Sequence, residues 1–231
     1  MALMFLPVCV RAARVADGCQ NTLTPAEKKA GWKLLFDGKT TKGWHRFKCK
    51  TLGDNWKVVD GALTRVAEGG DIVSDERFDN FELSLDYKIA KGGNSGIMFR
   101  ISENFPKFAK PGPEVQIIDN DFYKKKLKHL QKAGWLYQLY KSEVDATKPA
   151  GQWNNLRMVI RQNPEKSEVY INGVKYYDFV IGSSDWDRRV AKAKFTKSPL
   201  FGRIAKGPIE LQDHHSLVAF RNIKIRPLPA K

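Results

Sequence analysis

The sequence predicts an all-β fold, a sandwich of antiparallel sheets with short helical decorations. Three observations carry that prediction. Several segments alternate apolar and polar residues with the two-residue period of strands. Gly, Pro and Asn turn signals separate them. Nowhere does strand alternate with long helix, as a parallel α/β sheet requires.

Along the chain, Thr24-Pro25-Ala26-Glu27 supplies an N-cap, a proline at the first helical position and a glutamate three residues after the cap. This is the start of a short helix. The pairs Gly31-Trp32 and Gly43-Trp44 then enclose a turn signal, Asp37-Gly38. FELSLDYKI (Phe81–Ile89) sets Phe81, Leu83, Leu85, Tyr87 and Ile89 on one face and four polar residues on the other. SGIMFRIS (Ser95–Ser102) turns Ile97, Phe99 and Ile101 inward, and EVQIID (Glu114–Asp119) and WNNLRMVIR (Trp153–Arg161) follow. EVYINGVKYYDF (Glu168–Phe179) contains Asn172-Gly173, the strongest short hairpin signal available. SDWDRRVAKAKF (Ser184–Phe195) reads as a helix capped by Ser184. IELQDHHSLVAFRNIKI (Ile209–Ile225) has strand at both ends and a polar middle.

A chain of 231 residues holds one substantial core, and no linker or repeat divides it. Residues 24–231 are assigned to a single domain, and residues 1–23 to a signal remnant or disordered N-terminus. The apolar run ALMFLPVCV (Ala2–Val10) followed by small residues resembles the tail of an export signal, so a periplasmic or extracellular location is expected. No apolar run reaches the roughly 18 residues of a membrane helix. The balance of 40 Lys+Arg against 25 Asp+Glu gives +15, which attracts polyanions. The basic residues are spread along the chain, with one tight cluster in YKKKLKHLQK (Tyr123–Lys132). No nucleic-acid-binding motif accompanies them, so nucleic acid is not the expected partner. Cys9, Cys19 and Cys49 have no metal-ligand spacing, and their odd number excludes a complete disulfide framework.

Strand alternation also sorts the polar residues. Glu114 and Gln116 share the non-core face of one strand; Asn94, Gly96, Met98 and Arg100 share that of another. Glu210, Gln212 and His214 share a third. If the three faces belong to one sheet, they line a groove of carboxylate, imidazole, guanidinium and amide groups. That set suits a polyhydroxylated ligand and supplies an acid/base pair. His214 and His215, as neighbours on a continuing strand, point apart and cannot jointly hold a metal. The plainer reading of Gln212–His215 is a polar turn between strands. No cofactor or transition-metal site is expected, and a structural calcium is left open. Of the aromatics, Trp44, Trp56, Trp135, Trp153, Trp186 and Tyr137, most belong in the core, with one or two available to stack on sugar rings.

LLFDGKTTKGW, FELSLDYKIAKGGNSGIMFR, PEVQIIDN, GWLYQLY, WNNLRMVI, VYINGVKYYDF and GPIELQDHHSLVAFRNIKI occur in the order of the 3-keto-disaccharide hydrolase domain family. The chain resembles that family from about Gly31 to Pro227. The family was long catalogued as a domain of unknown function and labelled glycosyl hydrolase. The resemblance implies a concanavalin-like jelly roll in exported bacterial proteins. It also implies cleavage of glycosides oxidised to a ketone at C3, by net hydrolysis or elimination. The motif positions supply candidates, to which we assign the roles: Glu114 as base, and His214 as the acid or the donor to the keto oxygen, with Asp213 orienting that imidazole. Asn94, Arg100, Gln116, Gln212 and Tyr137 become substrate-binding residues. His215-Ser216 stands where the family commonly has glycine.

Three functions are thus in view: a 3-keto-glycoside-cleaving enzyme, a non-catalytic carbohydrate-binding module, and a polyanion-binding protein.

Overall fold

The computed structural model describes residues 20–105, 111–127, 130–198 and 200–229, without the side chains of Thr196 and Lys197. The N-terminal segment 1–19, with Cys9 and Cys19, lies outside the described residues, as does Lys128 of the basic cluster. In chain order the first strands are β1 (Lys33–Leu34), β2 (Trp44–Arg46), β3 (Trp56–Val59), β4 (Ala62–Arg65), β5 (Ile72–Phe78), β6 (Phe81–Ile89) and β7 (Asn94–Met98). They are followed by β8 (Glu114–Ile118), β9 (Asn154–Ile160), β10 (Ser167–Ile171), β11 (Val174–Phe179), β12 (Gly207–Leu211) and β13 (Val218–Pro227). Three short helices decorate them: α1 (Pro25–Lys29), α2 (Asn120–Tyr123) and α3 (Ser184–Lys192).

The strands form two antiparallel sheets. The larger runs β11-β10-β9-β6-β13-β4-β3, with β1 also on β13; the smaller runs β2-β5-β12-β7-β8. Their inner faces make one apolar core. Phe81, Leu83, Leu85, Tyr87 and Ile89 from β6 meet Ile97, Val115, Ile117, Ile209 and Leu211 from the smaller sheet. Each fully buried Leu, Ile or Phe contributes about 1.5–3 kcal/mol. Trp44, Trp56 and Trp186 are core residues, as expected.

Local signals held where they were local. Thr24 and Glu27 form the capping box of α1. Asn172 and Gly173, at φ 50° and 83°, turn the β10–β11 hairpin in the conformation that Asn-Gly favours.

Three boundaries differ. The cap of α3 is Ser183, whose side chain accepts from the Trp186 amide, so the helix begins at Ser184 itself, one residue earlier than a cap there implies. Asn21, expected in the leader segment, is buried, its side chain bonded to Gly61 and Asn222. Lastly, β7 stops at Met98 and β12 at Leu211, so alternation does not carry Arg100 or His214.

The outer face of the larger sheet is polar and internally paired. Glu82, nearly fully buried, receives Arg157 Nε at 2.5 Å and Arg226 Nε at 2.6 Å. Asp86 receives Asn155 Nδ2 at 3.0 Å and Asn222 Nδ2 at 2.8 Å. The outer face of the smaller sheet is organised differently, and it holds the candidate site.

Candidate active site

Cross-strand register places His45, Val73, Glu210, Met98 and Glu114 in one row across the outer face of the smaller sheet. A second row is offset by two residues, about 6.8 Å along the strands. It brings Gln212, whose N–H donates to the Gly96 carbonyl at 3.0 Å, beside Gly96, which pairs with Gln116. Asn94, opposite Ile118, marks a third row. Thus Glu114, Gln116, Gln212 and Asn94, called onto separate faces by their sequences, meet on one face.

Past β8 the sheet is extended by a strip of loop. Leu136 bridges to Val115, Gln116 N–H donates to the Trp135 carbonyl at 3.0 Å, and Tyr137 N–H donates to the Glu114 carbonyl at 2.9 Å. Antiparallel pairing then sets Tyr137 beside Glu114 and Trp135 beside Gln116, with Leu136 turned into the core. The Tyr137 hydroxyl accepts from Gln131 Nε2 at 3.0 Å. Tyr137 thus stands beside the polar floor, while Trp135 packs against the core with Lys132 Nζ 5.8 Å from its ring centroid.

The floor has a gap at Gly96. A Cβ built there would lie 2.3 Å from Glu114 Oε1 and 2.8 Å from its Cγ. The Glu114 side chain thus reaches out of its own row and lies over Gly96, one row nearer Asn94.

Unpartnered polar atoms concentrate on this face. Asn94 Oδ1, Gln116 Oε1 and Gln212 Oε1 are buried with no hydrogen-bond partner, as are Nε and Nη2 of Arg100 just beyond Met98. A buried polar group left unpaired costs about 1–3 kcal/mol, more when charged. Arg100 sits at φ 52° and is 4% exposed. Burial pulls its guanidinium below the ordinary value, and nearby Asp79 acts in the opposite direction. These atoms are presented to a ligand or left at a cost.

The family model of the 3-keto-alpha-glucoside-1,2-lyase-like domain matches residues 31–226. The chain belongs to this family. A curated 3-keto-disaccharide hydrolase of Bacteroides thetaiotaomicron is 29% identical over 86% of this chain and 79% of its own length. A crystal structure of a candidate glycosyl hydrolase from Parabacteroides distasonis superposes with a TM-score of 0.84 at 33% identity, covering 91% of this chain and all of that one. The carbohydrate-binding module CBM66 of Bacillus subtilis shares the fold at a TM-score of 0.50 and 14% identity, over 80% of this chain and 95% of that one.

The QDHH segment of this lyase-like domain is the polar turn. Asp213 does not orient His214. Its carboxylate accepts from Arg65 Nε at 2.7 Å, from the Gly69 and Gly70 amides at 3.1 and 2.9 Å, and from the His215 amide at 3.0 Å. Burial alone would raise the Asp213 carboxyl; the Gly70 and His215 amides and Arg65 overcome it and hold the group below its ordinary 3.8. Asp213 is therefore a structural hub. The bond to its own amide two residues on is the turn itself.

His214 and His215 are both exposed, their rings edge to face at 6.0 Å rather than on opposite sides of a strand. His215, at φ 60°, meets Glu68 at 3.1 Å. His214 stands at the Asn94 end of the groove: its carbonyl accepts from Ser216 Oγ, which accepts from the Asn94 amide at 2.9 Å. It thus stays beside the groove, on a turn rather than on a strand face.

Sequence reasoning missed the other end of the first row. His45 Nδ1 lies 2.6 Å from Asp75 Oδ1 and its Nε2 3.3 Å from Glu103 Oε1. No local pattern could join residues on β2, β5 and a loop after β7. Among the described residues, no group of three or more His, Cys, Asp or Glu side chains forms a metal site.

Proposed function

We propose that the chain cleaves 3-keto-glycosides on the outer face of its smaller sheet, with Glu114 as the base. The observation that carries this reading is the set of unpartnered amide oxygens on Asn94, Gln116 and Gln212 around the Glu114 carboxylate. The family and the 3-keto-disaccharide hydrolase relative give the substrate class.

A ketone at C3 acidifies the hydrogen on C2. Glu114 takes that proton, and the electron pair of the C2–H bond forms an enolate onto the C3 oxygen. The enolate then re-forms the ketone as the C1–O bond breaks and the aglycone leaves, giving a C1–C2 alkene. Addition of water to that alkene yields the free 3-keto sugar, a net hydrolysis. No oxocarbenium ion is needed, and so neither is the nucleophile-and-acid carboxylate pair of a retaining glycosidase.

Asn94, Gln116 and Gln212 bind hydroxyls and the enolate oxygen, each finding in substrate the partner it lacks in the protein, while Arg100 stands past Met98, at the opposite end of β7 from Asn94. Tyr137 walls the sugar beside Glu114. His214 gives the aglycone oxygen its proton. The Glu114 carboxylate over Gly96 and His214 near Asn94 stand about one row, ~7 Å, apart along the sheet, room for one sugar ring.

Aglycone release from 3-keto-glucosides tests the reading. Glu114→Gln is expected to lower kcat at least ~100-fold while substrate still binds. His214→Ala is expected to slow release of a basic alcohol far more than of nitrophenol, which needs no proton. Purified wild-type protein that binds 3-keto-glycosides without releasing product from any of them defeats the enzyme reading and leaves a carbohydrate-binding module.

A further inference from the structure

We infer that Gly96 is the seat of the Glu114 carboxylate, a positioning residue that sets where in the groove the proton is taken. The inference rests on the role proposed for Glu114. Glycine weakens a strand interior, since it loses more chain entropy on folding and packs nothing. Here the backbone gives no reason for it: Gly96 lies within β7 and is not among the glycines at positive φ. Its neighbours in the row, Gln116 and Gln212, carry full side chains on the same face.

What needs the missing side chain is Glu114. Its Oε1, Cγ and Cδ would lie 2.3, 2.8 and 2.9 Å from a Cβ on Gly96. All three contacts come from one side chain, and none from backbone. Upright in its own row beside Met98, Glu114 would leave its carboxylate about 7 Å farther from the Asn94 end. Lying over Gly96, the carboxylate stands between the amides of Gln212 and Gln116 and one row from Asn94.

The same contact makes the inference testable without loss of fold. The three atoms nearest to a methyl at position 96 all belong to the flexible Glu114 side chain, so Gly96→Ala is expected to fold and to melt near the wild-type temperature. The carboxylate must move, and a displacement of about 1 Å in a reacting group costs on the order of 100-fold in rate. Gly96→Ala is therefore expected to lower kcat about 100-fold with a much smaller change in KM.

Glu114→Ala removes Cγ, Cδ and Oε1, the three atoms nearest to position 96. In that background Gly96→Ala is expected to change kcat by less than about twofold. An equal loss in both backgrounds, or a loss explained by unfolding, overturns the inference. Should the wild type release nothing from any 3-keto-glycoside, the proposed reaction fails on its own. A crystal structure of the Gly96→Ala protein then decides the seat: a displaced Glu114 carboxylate supports it, and an unmoved one refutes it.

Discussion

Asp213 and Glu114 show how one functional group, the carboxylate, is put to opposite uses by its surroundings. Asp213 is buried under a guanidinium and three backbone amides, which fix it and leave it nothing to exchange with a substrate. Removing one partner of a buried ion pair strands the other, here Arg65. Asp213→Ala is expected to lower unfolding free energy by about 3–5 kcal/mol in urea, with kcat of the folded fraction close to wild type. The pH dependence has a definite sign. The folded carboxyl lies below its unfolded value of 3.8, so its contribution is complete above that value and is lost as pH falls through the folded pKa. Urea midpoints between pH 5 and pH 2.5 are expected to fall more steeply for wild type than for Asp213→Asn; parallel slopes would remove Asp213 as the cause. The residue types of the site were legible in the sequence, but not this difference. Arg65 lies 148 residues from Asp213, and no local pattern announces the pairing.

The element that most changes the groove is the strip at Trp135–Tyr137. It is not a regular strand, yet three backbone bonds to β8 extend the sheet and set Trp135 and Tyr137 along its edge. Alternation survives in it because the bridge at Leu136, with a backbone bond on either side, fixes its register against β8. Trp135→Ala is expected to weaken binding of a 3-keto-glucoside by about 1 kcal/mol, roughly fivefold in KM, with a smaller effect on kcat. Isothermal titration with a non-cleavable sugar separates the two; an unchanged Kd would exclude Trp135 from the groove wall. Strand ends tell the complementary lesson. Gln212 keeps its place beside Gly96 because its N–H still donates to the Gly96 carbonyl next to the end of β12. His214 was given a strand face that does not exist, because the Asp213 turn intervenes before it.

At the scale of the whole molecule, one core joins two sheets whose outer faces have diverged. On the larger sheet, Glu82 and Asp86 are met by arginine and asparagine side chains, so its polarity is internal structure. On the smaller, buried amide oxygens lack partners, so its polarity is available to a ligand. Phe220 of β13, fully buried and stacked on Trp56 with centroids 6.1 Å apart, belongs to the shared core. Phe220→Ala is expected to cost about 3–5 kcal/mol and to unfold both sheets in one transition, followed by tryptophan fluorescence and far-ultraviolet dichroism together. Two separated transitions would show that the sheets fold as independent units. The sequence by itself determined the fold class, the Asn172-Gly173 hairpin turn and the faces of alternating segments such as Phe81–Ile89. Those properties depend on side-chain alternation and local backbone preference, which a single segment carries. Only the tertiary structure decided that three polar faces share one sheet, that Asp213 belongs to Arg65, and that Glu114 lies over Gly96. Each of these depends on strand order and on contacts between residues distant in the chain, and alternation within a strand is silent about which strand becomes its neighbour.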